Sequence, residues 1–130
     1  MKFGYTIIYV TSVPDTLAFY DKAFGFKTRF LHESNMYGEL DTGETALAFA
    51  SLEMGDMNLG DQFLPVQASG KPFGIELAFV AEDVDAAFKQ AVDAGATAIK
   101  PPTAKPWGQT VAYVRSLEGS LIELCSPIGG

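Results

Sequence analysis

Apolar and polar positions follow the same order twice along the chain. Residues 3–25, FGYTIIYVTSVPDTLAFYDKAFG, pass from an apolar run through a turn into a helical pattern that ends at glycine. Residues 73–95, FGIELAFVAEDVDAAFKQAVDAG, repeat that order, and short apolar runs separated by turn residues follow both segments. This pattern predicts an α+β fold of two tandem β-α-β-β-β modules with a pseudo-twofold, whose curved sheet surrounds a cleft.

The first module is predicted from residues 1–52. Residues 4–10 have two largely apolar faces, which predicts a buried strand. Ser12 and Pro14 favour the start of a helix, and apolar side chains then recur at helical spacing as far as Gly25. Further strands are predicted at 27–33, 36–41 and 45–51, with a hairpin-like turn at 41–44.

The second module is predicted from residues 73–130, after a linker at 53–72. The linker contains Gly, Asn, Asp, Pro and Ser without a clear period, which is typical of a mobile loop. A strand at 74–81 leads to Glu82 or Asp83 as a helix cap. Further strands are predicted at 97–100, 109–115 and 120–126, and the prolines of KPPTAKPWGQ exclude a helix between the first two.

Composition narrows the class of protein. The 130 residues are 48% hydrophobic and 19% charged, which favours a single folded domain. One cysteine and one histidine exclude an internal disulfide and a Cys/His zinc site, so a reducing cytoplasm is the expected compartment. No run resembles a signal peptide or reaches the ~20 apolar residues of a membrane span, so we expect a soluble protein without a membrane partner.

The net charge of −7 bears on possible partners. It opposes nucleic-acid binding, which needs clustered Lys and Arg against phosphates. The same charge attracts cationic ligands, although acidity also serves solubility alone.

Taken together, these segments resemble the vicinal oxygen chelate superfamily, which includes glyoxalase I, bleomycin resistance proteins and extradiol dioxygenases. The resemblance covers essentially the whole chain and rests on YTIIYVTSVPDTLAFYDKAFGF, IELAFVAEDVDAAFKQAVDAGA and KPWGQTVAYVRSLEGSLIEL. It implies a small-molecule site and a homodimer. In members that hold a metal, it also implies ligands on the first and last strand of each module.

The resemblance assigns four ligand positions. They fall at Tyr5 and at Leu47 or Ala48 in the first module, and at Glu76 and Glu123 in the second. Only the two glutamates are good metal ligands, so the expected cofactor is none or one divalent ion, nickel, zinc, iron or manganese. His32 follows a strand beside a polar turn and could add a metal ligand, but it is predicted to be a rim or surface histidine.

Other side chains are candidates for ligand contact. Trp107 lies in a Pro/Gly loop and is either a pocket rim or a cap on the core. Gln109 offers an amide beside it or is an ordinary strand-edge residue, and Tyr5 either stacks on a flat ligand or belongs to the core. Cys125 shares the parity of Glu123 and is predicted to be a buried, inert thiol.

Three functions follow from these residues. The preferred one is a small-molecule binding protein resembling bleomycin resistance proteins, which holds an aromatic or cationic ligand through Tyr5, Glu76, Trp107, Gln109 and Glu123. The alternative is a metal-dependent lyase or isomerase resembling glyoxalase I, in which Glu123 or Glu76 shuttles a proton. A metal-free enzyme would instead use a glutamate with a raised pKa as general base.

Overall fold

A computed structural model describes residues 1–128, which form two compact units. The first unit is Met1–Val66, and the second begins at Gln67. Each contains one four-stranded sheet.

The first unit begins with a strand, a helix and three more strands. The elements are β1 (Tyr5–Val10), α1 (Val13–Phe24), β2 (Thr28–Leu31), β3 (Tyr37–Leu40), β4 (Ala46–Ser51) and α2 (Leu52–Leu59). The sheet order is β1-β4-β3-β2, with β1 parallel to β4 and the other neighbours antiparallel.

The second unit repeats this topology. Its elements are β5 (Glu76–Val80), α3 (Val84–Asp93), β6 (Thr97–Ala104), β7 (Thr110–Arg115) and β8 (Leu121–Cys125). The sheet order is β5-β8-β7-β6, with β5 parallel to β8. The predicted α+β fold of two β-α-β-β-β modules is therefore confirmed.

Local sequence explains where the helices begin. The Ser12 side chain accepts a hydrogen bond from the Asp15 backbone N–H at 3.3 Å, and the Asp83 side chain accepts one from Ala86 at 3.0 Å. These caps satisfy amide groups that have no partner inside a first helical turn. Gly25 ends α1 in the left-handed conformation, at φ 77°, as its position after the apolar stripe indicates.

One face of the first sheet is covered by α1. Phe49 and Tyr20 are buried, with ring centroids 4.8 Å apart. A Cβ added to Gly38 would lie only 2.7 Å from the Leu17 side chain, so helix and sheet approach closely there. Side chains alternate along a strand, so Tyr37 and Glu39 lie on the opposite face of β3.

The second sheet is arranged in the same way against α3, which contacts β6, β7 and β8. Ala112 pairs with Leu124 as Gly38 pairs with Phe49 in the first unit. Ala112, Val114, Ile122 and Leu124 are all buried. Their alternating neighbours on β7 and β8 therefore lie on the face opposite α3.

The predicted linker contains a helix that the sequence pattern did not indicate. Ser51 caps α2 by accepting a hydrogen bond from the Met54 backbone N–H at 3.1 Å. The absent side chain of Gly55 lets α2 approach Tyr9 and Phe63, which would lie 3.1 Å and 2.6 Å from a Cβ at this position. Tertiary packing thus stabilises a segment that has weak helix propensity of its own.

Two strands differ from their predicted description. Tyr5 and Ile7 are exposed, so β1 is not buried on both faces. Strand β6 continues through Pro101 and Pro102 to Ala104, beyond the predicted end at residue 100. It lies at the edge of its sheet, and its pairing with β7 shifts register between Lys100 and Thr103, so neither proline is among the paired residues.

Residues 67–70 are held against the second sheet by Arg115. Its buried side chain donates hydrogen bonds to the carbonyl oxygens of Gln67, Ser69 and Gly70, and to that of Gly119 at 3.0 Å. Because an unbonded buried guanidinium would be costly, these carbonyl groups fix the start of the second unit.

We expect Gly119→Ala to lower the free energy of unfolding by more than the about 1–3 kcal/mol of backbone strain alone. Gly119 has φ +104°, and a Cβ there would overlap the Gln67 carbonyl oxygen. Gly43→Ala is the matched control, because Gly43 has φ +99° with nothing within 4 Å of the added Cβ. Urea denaturation of both variants measures the difference, and equal losses would contradict the close approach of Gln67.

Candidate functional site

The second sheet brings Glu76, Tyr113, Glu123 and Cys125 together on the face opposite α3; we call these four residues the acidic cluster. Glu123 on β8 pairs with Ala78 on one side and Tyr113 on the other. Glu76 begins β5, two residues before Ala78, and therefore has the same parity. The structure therefore places the two glutamates on one face of the sheet.

Glu123 is the centre of the acidic cluster. Its Oε1 accepts a hydrogen bond from the Tyr113 hydroxyl at 3.0 Å. Burial raises the pKa of Tyr113 to about 12, helped by this hydrogen bond and by the negative charge of Glu123. The phenol is therefore a neutral donor at physiological pH, and it orients the carboxylate.

Glu76 interacts with the same carboxylate. Burial is the largest cause that raises the pKa of Glu76 above its ordinary 4.5, followed by repulsion from Glu123 and a hydrogen bond to Glu123. The protonated Glu76 carboxyl can donate to Glu123, whereas two ionised carboxylates repel. The two groups therefore favour a shared proton or a bound cation.

Cys125 lies at the end of the same strand, and it is buried as predicted. Its Sγ is 3.8 Å from the Phe79 carbonyl oxygen. Burial raises the pKa of the thiol, and the hydrogen bond to Glu123 and the negative charges of Glu123 and Glu76 raise it further. A thiol held in its neutral form is a poor nucleophile, so its chemistry here is that of a small buried side chain.

Trp107 and Gln109 form a hydrogen-bonded pair that lies, in space, next to the end of β8. The Trp107 indole donates to Gln109 Oε1 at 2.7 Å, and the Gln109 amide donates to the Ser126 carbonyl oxygen at 2.8 Å. Trp107 exposes 66% of its surface, so it is not a cap on the core. Its large ring is held by the hydrogen bond to Gln109 and remains accessible to a ligand.

In the first unit, the structure settles the uncertain register of the predicted ligand position. Ala48 pairs with Ile7 and Glu39, as Glu123 pairs with Ala78 and Tyr113 in the second unit. Ala48 rather than Leu47 is therefore the counterpart of Glu123, and it has no donor atom. Tyr5, the counterpart of Glu76, is 60% exposed on the edge strand β1.

His32 lies on the exposed surface of the first unit, as predicted. Its Nδ1 is 2.8 Å from the Ser34 hydroxyl, and its ring packs edge-on against Phe30. These contacts account for the histidine without a metal.

Three functional candidates were missed from the sequence: Tyr113, Tyr37 and Glu39. Tyr113 lies directly across from Glu123, which only the strand register reveals. Tyr37 donates to Glu39 Oε2 at 2.8 Å on the face opposite α1. The alternation of Tyr37-Gly38-Glu39-Leu40 was the available signal, because the small and apolar positions face the helix.

The acidic cluster does not provide the ligand set of a Lewis-acid metal centre. Such centres usually have three protein ligands with imidazole favoured, and here the good ligands are two carboxylates. Within residues 1–128, no group of three or more His, Cys, Asp and Glu side chains is placed to hold a metal ion.

Comparison with known proteins identifies the family. The family model of the glyoxalase/bleomycin resistance protein/dioxygenase superfamily matches residues 2–124. The chain belongs to this superfamily, as its sequence motifs indicate. No curated protein matches the chain significantly.

Solved structures have the same fold. A glyoxalase-related enzyme from Fulvimarina pelagi is 17% identical with a TM-score of 0.81, and the match covers 98% of this chain and 88% of that one. A glyoxalase/bleomycin resistance protein/dioxygenase family enzyme from Burkholderia phytofirmans PsJN is 25% identical with a TM-score of 0.77, covering 97% and 98%. TioX from Micromonospora sp. ML1 is 22% identical with a TM-score of 0.71, also covering 97% and 98%.

No helix in the described part of the chain combines the length and the apolar character needed to cross a bilayer.

We expect Glu76→Gln to raise stability modestly at neutral pH, by less than about 1 kcal/mol because Glu76 is an exposed residue whose charge is screened by solvent. The folded state binds the Glu76 proton more tightly than the unfolded state, so stability falls as pH rises from the ordinary pKa through the raised one. In the Glu76→Gln variant, this decrease of stability with rising pH should be absent.

Thermal unfolding measured from about pH 4 to about pH 7.5 tests the effect, because the loss of stability begins as pH rises above the ordinary pKa of a glutamate. The exposed Glu82→Gln is the control for net charge, because Glu82 lies outside the acidic cluster. A wild-type and a Glu76→Gln profile of the same slope would contradict the proximity of Glu76 to Glu123.

Proposed function

We propose that this protein is a small-molecule binding protein whose ligand places a cationic group against Glu76 and Glu123. The observation that carries the proposal is the placement of the two carboxyl groups on one face of the second sheet, where burial and then repulsion from Glu123 raise the pKa of Glu76. A ligand cation replaces the shared proton and relieves the repulsion of two ionised groups. The net charge of −7 favours the approach of such a ligand.

The surroundings of the carboxylates support an organic rather than an inorganic cation. Tyr113 fixes the orientation of Glu123, so a hydrogen-bonded cation meets a prearranged acceptor. Trp107 is linked to the same sheet through Gln109, which bonds to Ser126 directly after β8, and its exposed ring offers a surface for an aromatic ligand. Membership of a superfamily that contains bleomycin resistance proteins agrees with ligand binding without chemistry.

We expect benzamidine, a flat cation, to bind at least about tenfold more tightly than neutral benzamide, because a charge-assisted hydrogen bond is the stronger one. Calorimetry, with the fluorescence of the single Trp107 as a second signal, measures both affinities. Glu123→Gln and Glu76→Gln each reduce benzamidine affinity, whereas the control Glu82→Gln leaves it unchanged.

Two conditions sharpen this test. Affinity rises with pH as Glu76 loses its proton, and it falls between about 50 mM and about 500 mM salt as the charges are screened. Equal affinity for benzamidine and benzamide, or unchanged affinity in Glu123→Gln, would contradict the proposal.

A metal-free enzyme is the second candidate, and the same carboxyl pair favours it. Glu76, whose pKa is raised, and Glu123 lie on one face of the sheet, where they can supply one acid and one base. Turnover of a carbonyl substrate by the purified protein, lost in Glu123→Gln, distinguishes this enzyme from a binding protein.

For the metal-dependent alternative, we expect well under one equivalent of bound metal. Two carboxylates without a third strong ligand hold nickel, zinc, iron or manganese weakly. Elemental analysis after incubation with each metal and desalting measures metal per chain. A near-stoichiometric ion that disappears in Glu123→Gln would overturn this expectation and favour a lyase or isomerase resembling glyoxalase I.

We also propose a homodimer. The edge strands β1 and β5 each pair with only one neighbour, and they carry exposed apolar side chains such as Ile7 and Val80. A second copy that covers these side chains would remove them from water.

A further inference from the structure

The first unit contains a second carboxylate with aromatic neighbours, formed by Tyr5, Phe30, Tyr37 and Glu39; we call these four residues the aromatic cluster. Glu39 lies opposite α1, because the Gly38 between it and Tyr37 faces that helix. Phe30 pairs directly with Glu39 across β2 and β3. Tyr5 lies on the same face, because it has the parity of Ile7 on β1, and Ile7 pairs with Ala48, which in turn pairs with Glu39.

The Glu39 carboxylate is fixed in place but keeps acceptor capacity. Tyr37 donates one hydrogen bond to Oε2 at 2.8 Å. Burial, this hydrogen bond and the charge of Glu39 raise the pKa of Tyr37 well above its ordinary range, so the phenol stays protonated. An ionised carboxylate accepts about four hydrogen bonds, so most of its capacity is left for another group.

The charge of Glu39 has no cation from the described residues. The ion pairs found within residues 1–128 join Lys27 to Asp21, Arg29 to Asp41 and Lys89 to Asp93. Arg29, which adjoins Phe30 on β2, thus bonds to Asp41 rather than to Glu39. The half-buried Glu39 is therefore a negative group that a cation from outside the chain can satisfy.

Aromatic rings lie around this carboxylate, and two of them are open to solvent. Phe30 is 47% exposed, which is a large apolar surface to leave in water beside a charge. The face of an aromatic ring attracts cations, and it attracts weakly hydrated ones best because little hydration is lost. Carboxylate and rings together match a cation that carries methyl groups.

We propose that the aromatic cluster is a binding site for an alkylated ammonium group, as in a quaternary amine. Glu39 supplies the countercharge, Tyr37 holds Glu39 in position, and Phe30 and Tyr5 contact the alkyl groups. A primary ammonium would demand several hydrogen-bond acceptors, whereas a quaternary one needs only charge and apolar contact. This site uses other residues than the acidic cluster and goes beyond the function proposed above.

Comparison of the two repeats supports a ligand chemistry at the aromatic cluster that differs from the one at the acidic cluster. The acidic cluster has its carboxylate on β8 and its tyrosine on β7, at paired positions. In the first unit, Ala48 occupies the position that corresponds to Glu123 on β8. The carboxylate of the first unit, Glu39, lies on β3 at the position that corresponds to Tyr113. The first unit thus has one carboxylate with rings, and the second has a pair of carboxyl groups.

The test adds choline or its neutral isostere 3,3-dimethylbutan-1-ol to the full chain. Two-dimensional amide NMR detects the binding of each compound. We expect choline to shift the amide signals of residues 28–31 and 37–40. The isostere should bind at least about fivefold more weakly, because it has the same shape without the charge.

The variants separate this site from other acidic surfaces. Glu39→Gln and Phe30→Leu should each weaken choline binding at least about threefold, since one removes the charge and the other the ring. Glu44→Gln, an exposed glutamate on the neighbouring turn, is the matched control and should not change it. The amide spectrum of each variant without ligand shows directly whether its fold is retained.

Two results would overturn the inference. One is equal binding of choline and the isostere, and the other is unchanged choline binding in both Glu39→Gln and Phe30→Leu. Choline shifts that vanish in Glu123→Gln but persist in Glu39→Gln would also overturn it, while leaving the proposed function intact. If benzamidine fails at the acidic cluster but choline binding depends on Glu39, the proposed function fails and this inference stands.

Discussion

Each sheet has a helix packed on one of its faces, and the alternation of side chains along the strands then decides which residues are available for chemistry. In the second unit, Leu124 and Ala112 lie on the face toward α3, which leaves Glu123 and Tyr113 on the other. A shift of one residue in the pairing would exchange these roles and bury the carboxylate in the core. The chemistry of the site therefore depends on the same register that fills the hydrophobic core.

This constraint also explains which features were predictable from the sequence. Helix caps such as Ser12 and Asp83 are local signals, and the structure has both. Glu76 and Glu123 were found because the internal repeat and the family resemblance marked their positions. Tyr113 was missed because its relation to Glu123 depends on which residues pair across two strands, and one sequence contains no direct record of that pairing.

Helix α2 shows a different limit. Its residues LEMGDMNL include Gly, Asp and Asn, which favour turns over helices when they are considered alone. The helix forms because Gly55 allows close packing against Tyr9 and Phe63, residues that are distant from each other in sequence. A local pattern cannot show such a contact, and the expected linker contains a helix for that reason.

The prolines of β6 have a consequence for how the second unit meets other molecules. An edge strand normally presents amide groups that a strand from another chain can extend, which is a common route to aggregation. Pro101 and Pro102 remove two successive donors from the middle of β6. This edge of the sheet is thereby protected against strand addition, and the edge that keeps all its amide donors is β5, which begins with Glu76.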